Sequence, residues 1–177
     1  VALLILLLCG YTVHGECMHE ISSEHVYDLR AIGKPEQRYR WTMKPTIRVC
    51  ADSGVSIGQA ARAVGYWERL GYDFDGIFSA DPIACMNPKY GEILISIPDG
   101  GFDNKHMAAT RLYTDRKTSE IVKAKIFILP KNATKERVLE HELGHALGWQ
   151  HYRQRYHIMH PMWTLGGYDS NGLKKVH

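Results

Sequence analysis

One short segment holds the residue types that metal-dependent hydrolysis requires. It reads HELGHALGWQH from His141 to His151. On a helix, His141 and His145 lie one above the other at positions i and i+4, and Glu142 lies beside His145 at i and i+3. Two imidazoles and a carboxylate are therefore predicted to share one patch of the helix surface.

A third imidazole, that of His151, can join this patch only if the helix ends before it. Continued helix would carry His151 roughly 9 Å along the axis and onto another face. Gly148 stands where the chain must turn, and glycine readily adopts the left-handed conformation that reverses a helix end. A bend at Gly148 is thus predicted to bring His151 back to the first two histidines. His157 and His160 are alternative third ligands, but they lie further along the chain than the position that a bend at Gly148 would bring back to the helix.

This set of side chains suits catalytic zinc. Neutral imidazoles bind Zn²⁺ well, and three protein ligands leave its fourth position open for water. Zinc lowers the pKa of such a water towards about 7. We therefore predict that His141, His145 and His151 bind Zn²⁺, and that Glu142 is the general base that takes a proton from the water.

Two sequence motifs resemble one family of peptidases. Residues 141–151 resemble the zinc-binding consensus of the metzincin metallopeptidases, and residues 157–162, HIMHPM, resemble the Met-turn of its matrixin branch. The resemblance implies that Met159 lies beneath the metal, with Met162 as the alternative, and that Gly148 and Met159 have structural roles. Pro161 stands where astacin-like members have a tyrosine, which favours a minimal matrixin-like catalytic domain.

The resemblance, which covers residues 46–162, also implies a fold. It predicts an α+β domain with a twisted mixed sheet, an antiparallel edge strand, two helices and a very small C-terminal subdomain ending in a helical stub near residues 171–176. A protein or peptide substrate would then bind in an extended form along the edge strand at residues 108–114. Residues 161–168 would wall the pocket for the side chain after the scissile bond, where Trp163 and Leu165 indicate an apolar preference.

The hydrophobic pattern supplies elements that agree with this fold. Ser56 and Gln59 form a capping box at the start of a helix that runs to Leu70, and the apolar stripe from Val138 to Leu147 predicts a second helix. The predicted strands cover residues 46–51, 74–79, 92–97, 108–114 and 121–129.

The N-terminal segment predicts export. Residues 1–9 are almost wholly apolar, and residues 13–15 offer small or permissive side chains where a signal peptidase would cut. Residues 1–15 are therefore interpreted as a signal peptide, 16–44 as an extended leader and 45–177 as the catalytic domain. The apolar run is shorter than the roughly 20 residues that span a bilayer. No stable membrane span is expected after processing, although an uncleaved anchor is the alternative. We expect a secreted or extracellular protein, or a periplasmic one in a Gram-negative host.

Three cysteines remain after removal of the signal peptide. An oxidising compartment favours a disulfide between two of them. Cys50 ends a predicted strand and Cys85 lies in a loop, so Cys50–Cys85 is the first choice. Cys17 paired with either of the other two remains open.

The overall charge argues against a polyanion partner. Lysine and arginine number 22 against 19 acidic residues, a net charge of +3, so no nucleic-acid binding is expected. The resemblance implies structural Ca²⁺ or zinc at an oxygen-rich loop with Asp99, Asp103, Asn104 and His106, but the loop has no recognisable ligand spacing, and a solvated turn is favoured. The sequence does not predict an oligomeric state.

These observations predict a secreted zinc endopeptidase. Two other functions fit part of the evidence. One is a catalytically silent, zinc-stabilised module that binds peptides. The other is a zinc hydrolase that acts on a non-protein amide.

Overall fold

The computed structural model describes residues 11–19, 33–98, 100 and 105–175. In this part of the chain, six strands form one sheet and two helices pack against it. In chain order these elements are β1 Tyr11–His19, β2 Thr46–Cys50, α1 Ile57–Glu68, β3 Ile77–Ala80, β4 Glu92–Ser96, β5 His106–Asp115, β6 Ile121–Ile128 and α2 Val138–Ala146.

The sheet is mixed, with its strands in the order β1-β5-β6-β4-β2-β3. Strand β2 runs parallel to β3 and β4, and β4 runs parallel to β6. Strand β5 is antiparallel to β6, which follows it through a tight turn. Every residue of β4 is buried, as expected for a parallel strand that is covered on both faces. The architecture confirms the predicted α+β class, with a mixed sheet, an antiparallel strand and two helices.

Strand β1 was not predicted, and it changes the surroundings of β5. It pairs antiparallel with β5 along its whole length, from Tyr11 opposite Asp115 to His19 opposite His106. A strand with unpaired N–H and C=O groups is a template for a further strand, and β1 uses β5 in this way. The predicted edge strand is therefore an inner strand of the sheet described here, and the predicted signal-peptide boundary after Gly15 falls within β1.

Helix α1 starts as its sequence predicts. The Ser56 hydroxyl accepts a hydrogen bond from the Gln59 backbone N–H at 3.2 Å, and the Gln59 side chain accepts one from the Ser56 N–H at 2.8 Å. This capping box satisfies donors that have no partner inside the helix. The helix buries Ala60, Val64 and Trp67, so its apolar face joins the core between the sheet and α2.

A disulfide joins Cys50 to Cys85, which confirms the first of the three pairings considered. It ties the end of β2 to the loop that follows β3. Asp52 lies close to the two sulfur atoms. Because both cysteines are used in the disulfide, this cluster is not a metal site.

The C-terminal part lacks the expected helical stub. The chain makes a turn at Asn171 and Gly172, and no helix forms after α2 in the residues described up to 175. Leu173 is fully buried in the core, so its side chain helps to anchor this part of the chain. No helix among the described residues is both long and apolar enough to cross a membrane.

Candidate metal centre

Helix α2 places two of the predicted ligands inside the protein. His141 and His145 lie one turn apart, and both are fully buried. The opposite side of the helix carries Leu139, Leu143 and Ala146 in the hydrophobic core. Core packing on both sides of α2 therefore fixes the direction of the two imidazole rings.

The three predicted histidines lie together. The Nε2 atom of His145 is 3.0 Å from Nε2 of His141 and 3.1 Å from Nε2 of His151. Two nitrogen atoms bound to one tetrahedral zinc, each at about 2.0–2.1 Å, are about 3.3 Å apart. The spacing of the three nitrogens therefore fits a shared metal ion of this size.

The other ring nitrogens fix the tautomers of the two helix histidines. Nδ1 of His141 lies 2.7 Å from the Ile158 carbonyl oxygen, and Nδ1 of His145 lies 2.7 Å from the Trp149 carbonyl oxygen. A carbonyl accepts only, so each Nδ1 carries the proton and donates it. Each Nε2 then presents a lone pair to the cluster, which is the arrangement that metal-binding histidines use.

Burial also keeps these histidines neutral. Removal from water lowers the pKa of His141 and His145 well below the usual histidine range, and the charge of a neighbouring histidine lowers the pKa of each further. The Nε2 lone pairs of His141 and His145 face one another at 3.0 Å and repel unless a cation lies between them. The donor set of neutral imidazoles thus fits zinc.

A reversal at Gly148 brings His151 to the cluster. Helix α2 ends at Ala146, and Gly148 has a φ angle of +95°, which is unfavourable for any residue with a Cβ. The Gly148 and Trp149 N–H groups donate to the carbonyls of His145 and Gly144 at 2.8 and 3.0 Å. These bonds close the helix end as the sequence predicts.

The leader holds this reversal from outside, a role that was not predicted. The Arg38 N–H donates to the Gly148 carbonyl at 2.9 Å, and the Gln150 N–H donates to the Glu36 carbonyl at 2.9 Å. The Trp41 indole donates to the Ala146 carbonyl at 2.8 Å. No periodicity or motif in residues 33–44 signals this role. The predicted leader therefore helps to hold the backbone of the candidate metal centre in place.

Glu142 lies between the two helix histidines in sequence and is also fully buried. Its Oε2 lies 2.6 Å from the hydroxyl oxygen of Thr110 on β5. Thr110 was not predicted as a site residue. The only signal for it in the sequence is its inward position in the alternating pattern of β5, which buries Ala108, Thr110 and Leu112.

Met159 packs against α2, the helix that carries His141 and His145. It is fully buried, and its sulfur and methyl group fill the space where a Cβ on Gly144 would lie. The Trp67 ring fills the same space from α1, 2.6 Å from that Cβ position. The missing side chain of Gly144 therefore lets Met159 and α1 approach the helix that carries the ligands. Met162 is only partly buried.

The alternative third ligands lie outside the cluster. His157 accepts a hydrogen bond from the Met159 N–H through Nδ1 at 3.1 Å, and its Nε2 lies 3.2 Å from the Asn171 carbonyl oxygen. His160 accepts from the Met162 N–H at 3.1 Å. Both rings thus stabilise the turn around Met159, and the cluster of metal-ligand atoms contains His151 instead.

The segment at 161–168 is fastened to the start of α2. The Trp163 indole donates to the Glu136 carbonyl at 2.9 Å, and the Arg137 guanidinium donates to the Trp163 carbonyl at 3.1 Å and stacks over its ring. Leu165 is partly buried. Of the residues considered for calcium, Asp99, Asp103 and Asn104 lie outside the described residues, and His106 begins β5.

Comparison with known families agrees with this geometry. The family model described as Matrixin, of the peptidase class M10, matches residues 37–176. The match covers the helix histidines, the reversal at Gly148 and the Met159 turn, and it begins inside the predicted leader. Searches of curated proteins and of solved structures found no match to the chain.

Proposed function

Because the chain belongs to the matrixin family of zinc-dependent peptidases, we propose that it is a secreted endopeptidase that cleaves peptide bonds with a zinc-activated water. The observation that carries the proposal is the convergence of three imidazole nitrogens next to a buried glutamate. His141, His145 and His151 would hold the metal. Zinc bound there would polarise the substrate carbonyl and lower the pKa of its water.

Glu142 performs the proton transfers in this proposal. As a carboxylate beside the ligands, it accepts a proton from the attacking water and then donates a proton to the nitrogen of the leaving amine. Burial keeps bulk water away from this exchange and strengthens the electrostatic interactions within the site. Glu142 therefore acts as base and then acid.

The proposed substrate is an extended peptide that adds to β5. In the full chain, β1 covers that side of β5, so β1 must leave before a substrate strand can pair there. The apolar side chains of Trp163 and Leu165, in the segment proposed to wall the pocket, support an apolar side chain after the scissile bond. We also propose that a single chain suffices for activity, because the described residues supply all the ligands and the base.

Secretion is the proposed location. Matrixins are typically extracellular, and the Cys50–Cys85 disulfide is the kind of bond that persists in an oxidising compartment. The signal peptide at residues 1–15 remains a prediction. It is tested by N-terminal sequencing of the protein recovered from the culture medium.

The central experiment combines metal analysis with a peptide-library digest. We expect about one zinc per chain, cleavage within peptides rather than from their ends, and loss of cleavage on addition of a chelator. Glu142→Gln should retain zinc and lose turnover by about 10²–10⁴-fold. Equal activity in this variant would refute the role of Glu142.

The same experiment separates the other functions. Zinc and peptide affinity without any cleavage would show a silent binding module. Cleavage of a small non-peptide amide, with the peptide library left intact, would show a hydrolase of another substrate class. Both results would overturn the proposal of an endopeptidase.

A further inference from the structure

We propose that Thr110 is a positioning residue for Glu142, and that its hydroxyl holds the carboxylate where the attacking water must meet it. The inference rests on the function proposed above and adds a residue to it. Thr110 lies on β5, far in sequence from the zinc helix, so a strand of the sheet would set the place of the catalytic base.

The direction of the hydrogen bond follows from the chemistry of the partners. The Thr110 oxygen lies 2.6 Å from Glu142 Oε2 and 3.0 Å from the Glu142 carbonyl oxygen. Both of these atoms can only accept from it when the side chain is ionised, so Thr110 is the donor. The hydroxyl has one proton, and the shorter contact has the length of a charge-assisted bond to a carboxylate. Thr110 therefore donates to Oε2, and Oε1 is assigned to the water.

Thr110 is the more rigid of the two partners. Its backbone lies inside the sheet, opposite Ile126 of β6 and Glu16 of β1. It is buried, and a β-branched side chain has few χ1 choices. Glu142 has a longer and more flexible side chain. The hydrogen bond thus holds the flexible Glu142 side chain at a fixed position on β5.

The same strand lies next to the proposed substrate path. The β1 backbone shows that a strand added to β5 passes directly beside Thr110, at Glu16. A peptide that replaced β1 in this register would pass the same residue. Thr110 would therefore link the position of the peptide to the position of the base.

Three substitutions at Thr110 test this role. Thr110→Val keeps the shape and removes the hydroxyl, and we expect kcat to fall by about 10- to 100-fold while KM and zinc content stay unchanged. Thr110→Ser keeps the hydroxyl and should restore most of kcat. Thr46→Val is the matched control, since it makes the same change in β2, a strand that contributes no residue to the proposed site. It should keep the kcat of the unmodified chain.

A crystal structure of zinc-loaded Thr110→Val supplies a readout that does not depend on activity. We expect the Glu142 carboxylate to leave its present position or to occupy several rotamers. A Glu142 that stays in place, a normal kcat in Thr110→Val, or an equal loss in Thr110→Ser would each overturn the inference. If the unmodified chain shows no zinc-dependent cleavage, the proposed function fails, and the position of Glu142 in the variant still tests its link to Thr110.

Discussion

The main chain of Tyr39 occupies the space that a side chain on Gly148 would need. A Cβ on Gly148 would lie 2.7 Å from the carbonyl carbon of Tyr39 and closer still to its oxygen. The leader thus closes over the reversal that directs His151 to the other ligands. Because this neighbour is backbone, it cannot move aside as a flexible side chain could.

Gly148→Ala should therefore destabilise the protein and weaken zinc binding together. The alanine would be strained at a φ of +95° and would also clash with Tyr39. We expect a loss of about 2–4 kcal/mol in the free energy of unfolding, measured by urea denaturation. Gly58→Ala is the control, because a Cβ there in α1 would lie 3.9 Å from the Ser56 hydroxyl oxygen, an ordinary van der Waals contact, and the alanine should stabilise the helix slightly. Equal stability of the two variants would contradict the close packing at Gly148.

His151 and His157 can be separated by their effects on zinc. His151→Ala removes one of three converging nitrogens, and we expect zinc affinity to fall by at least about 100-fold. His157→Gln should keep most of the affinity, because His157 bonds to the backbone of Met159 and lies outside the cluster. Competition with a chromophoric chelator measures both affinities. The assignment of His151 fails if the order of the two effects is reversed.

In the chain that keeps residues 1–15, strand β1 should compete with substrate for β5. Cys17 and Met18 lie opposite Ala109 and Ala108, and consecutive residues in a strand point their N–H groups to opposite sides. Cys17→Pro with Met18→Pro therefore removes one N–H from the β1–β5 ladder. We expect KM to fall by about threefold or more with kcat unchanged, because more molecules can then bind substrate.

The control for this variant is Cys17→Ser with Met18→Ser. It removes the thiol but keeps both N–H groups, and its KM should match that of the unmodified chain. A higher KM in the proline variant would show that β1 supports the substrate site and does not block it.

The zinc-free protein should lose stability in mild acid. Burial lowers the pKa of His141 and His145 well below the usual value of 6.5, and burial also lowers the pKa of His157 and His160. Below pH 6.5 the unfolded chain binds protons that the folded chain does not. The stabilisation from the neutral histidines is therefore complete above pH 6.5 and declines as the pH falls towards the folded-state values.

Urea unfolding in the presence of a chelator measures this effect. We expect the free energy of unfolding to decrease below pH 6.5 by about 1.4 kcal/mol per pH unit for each histidine that stays neutral in the fold. Bound zinc should shift the decline to lower pH, because the metal competes with protons for the same nitrogens. A free energy that stayed constant from pH 7 to pH 5 would contradict burial of the neutral cluster.

Several features of the fold could be predicted because they depend on neighbours in the chain. The capping box at Ser56 and the turn at Gly148 follow from local backbone geometry and hydrogen bonding. The five predicted strands agree with the observed positions to within a few residues, with β3 the most displaced, since it begins at Ile77 rather than at Phe74. The alternation of apolar residues predicts where these strands lie. It does not show that the irregular stretch before β3 continues to Gly76, which has a φ of +113°.

The sequence by itself determined the chemistry of this protein, because the helical repeat fixes His141, Glu142 and His145 on one patch whatever surrounds them. Only the tertiary structure decided how that patch is held. The Trp41 indole in the leader donates to a carbonyl at the end of α2, 105 residues away in the chain. Thr110 on β5 forms a hydrogen bond with Glu142. Contacts of this kind depend on how the whole chain packs, and no local pattern of residues records them.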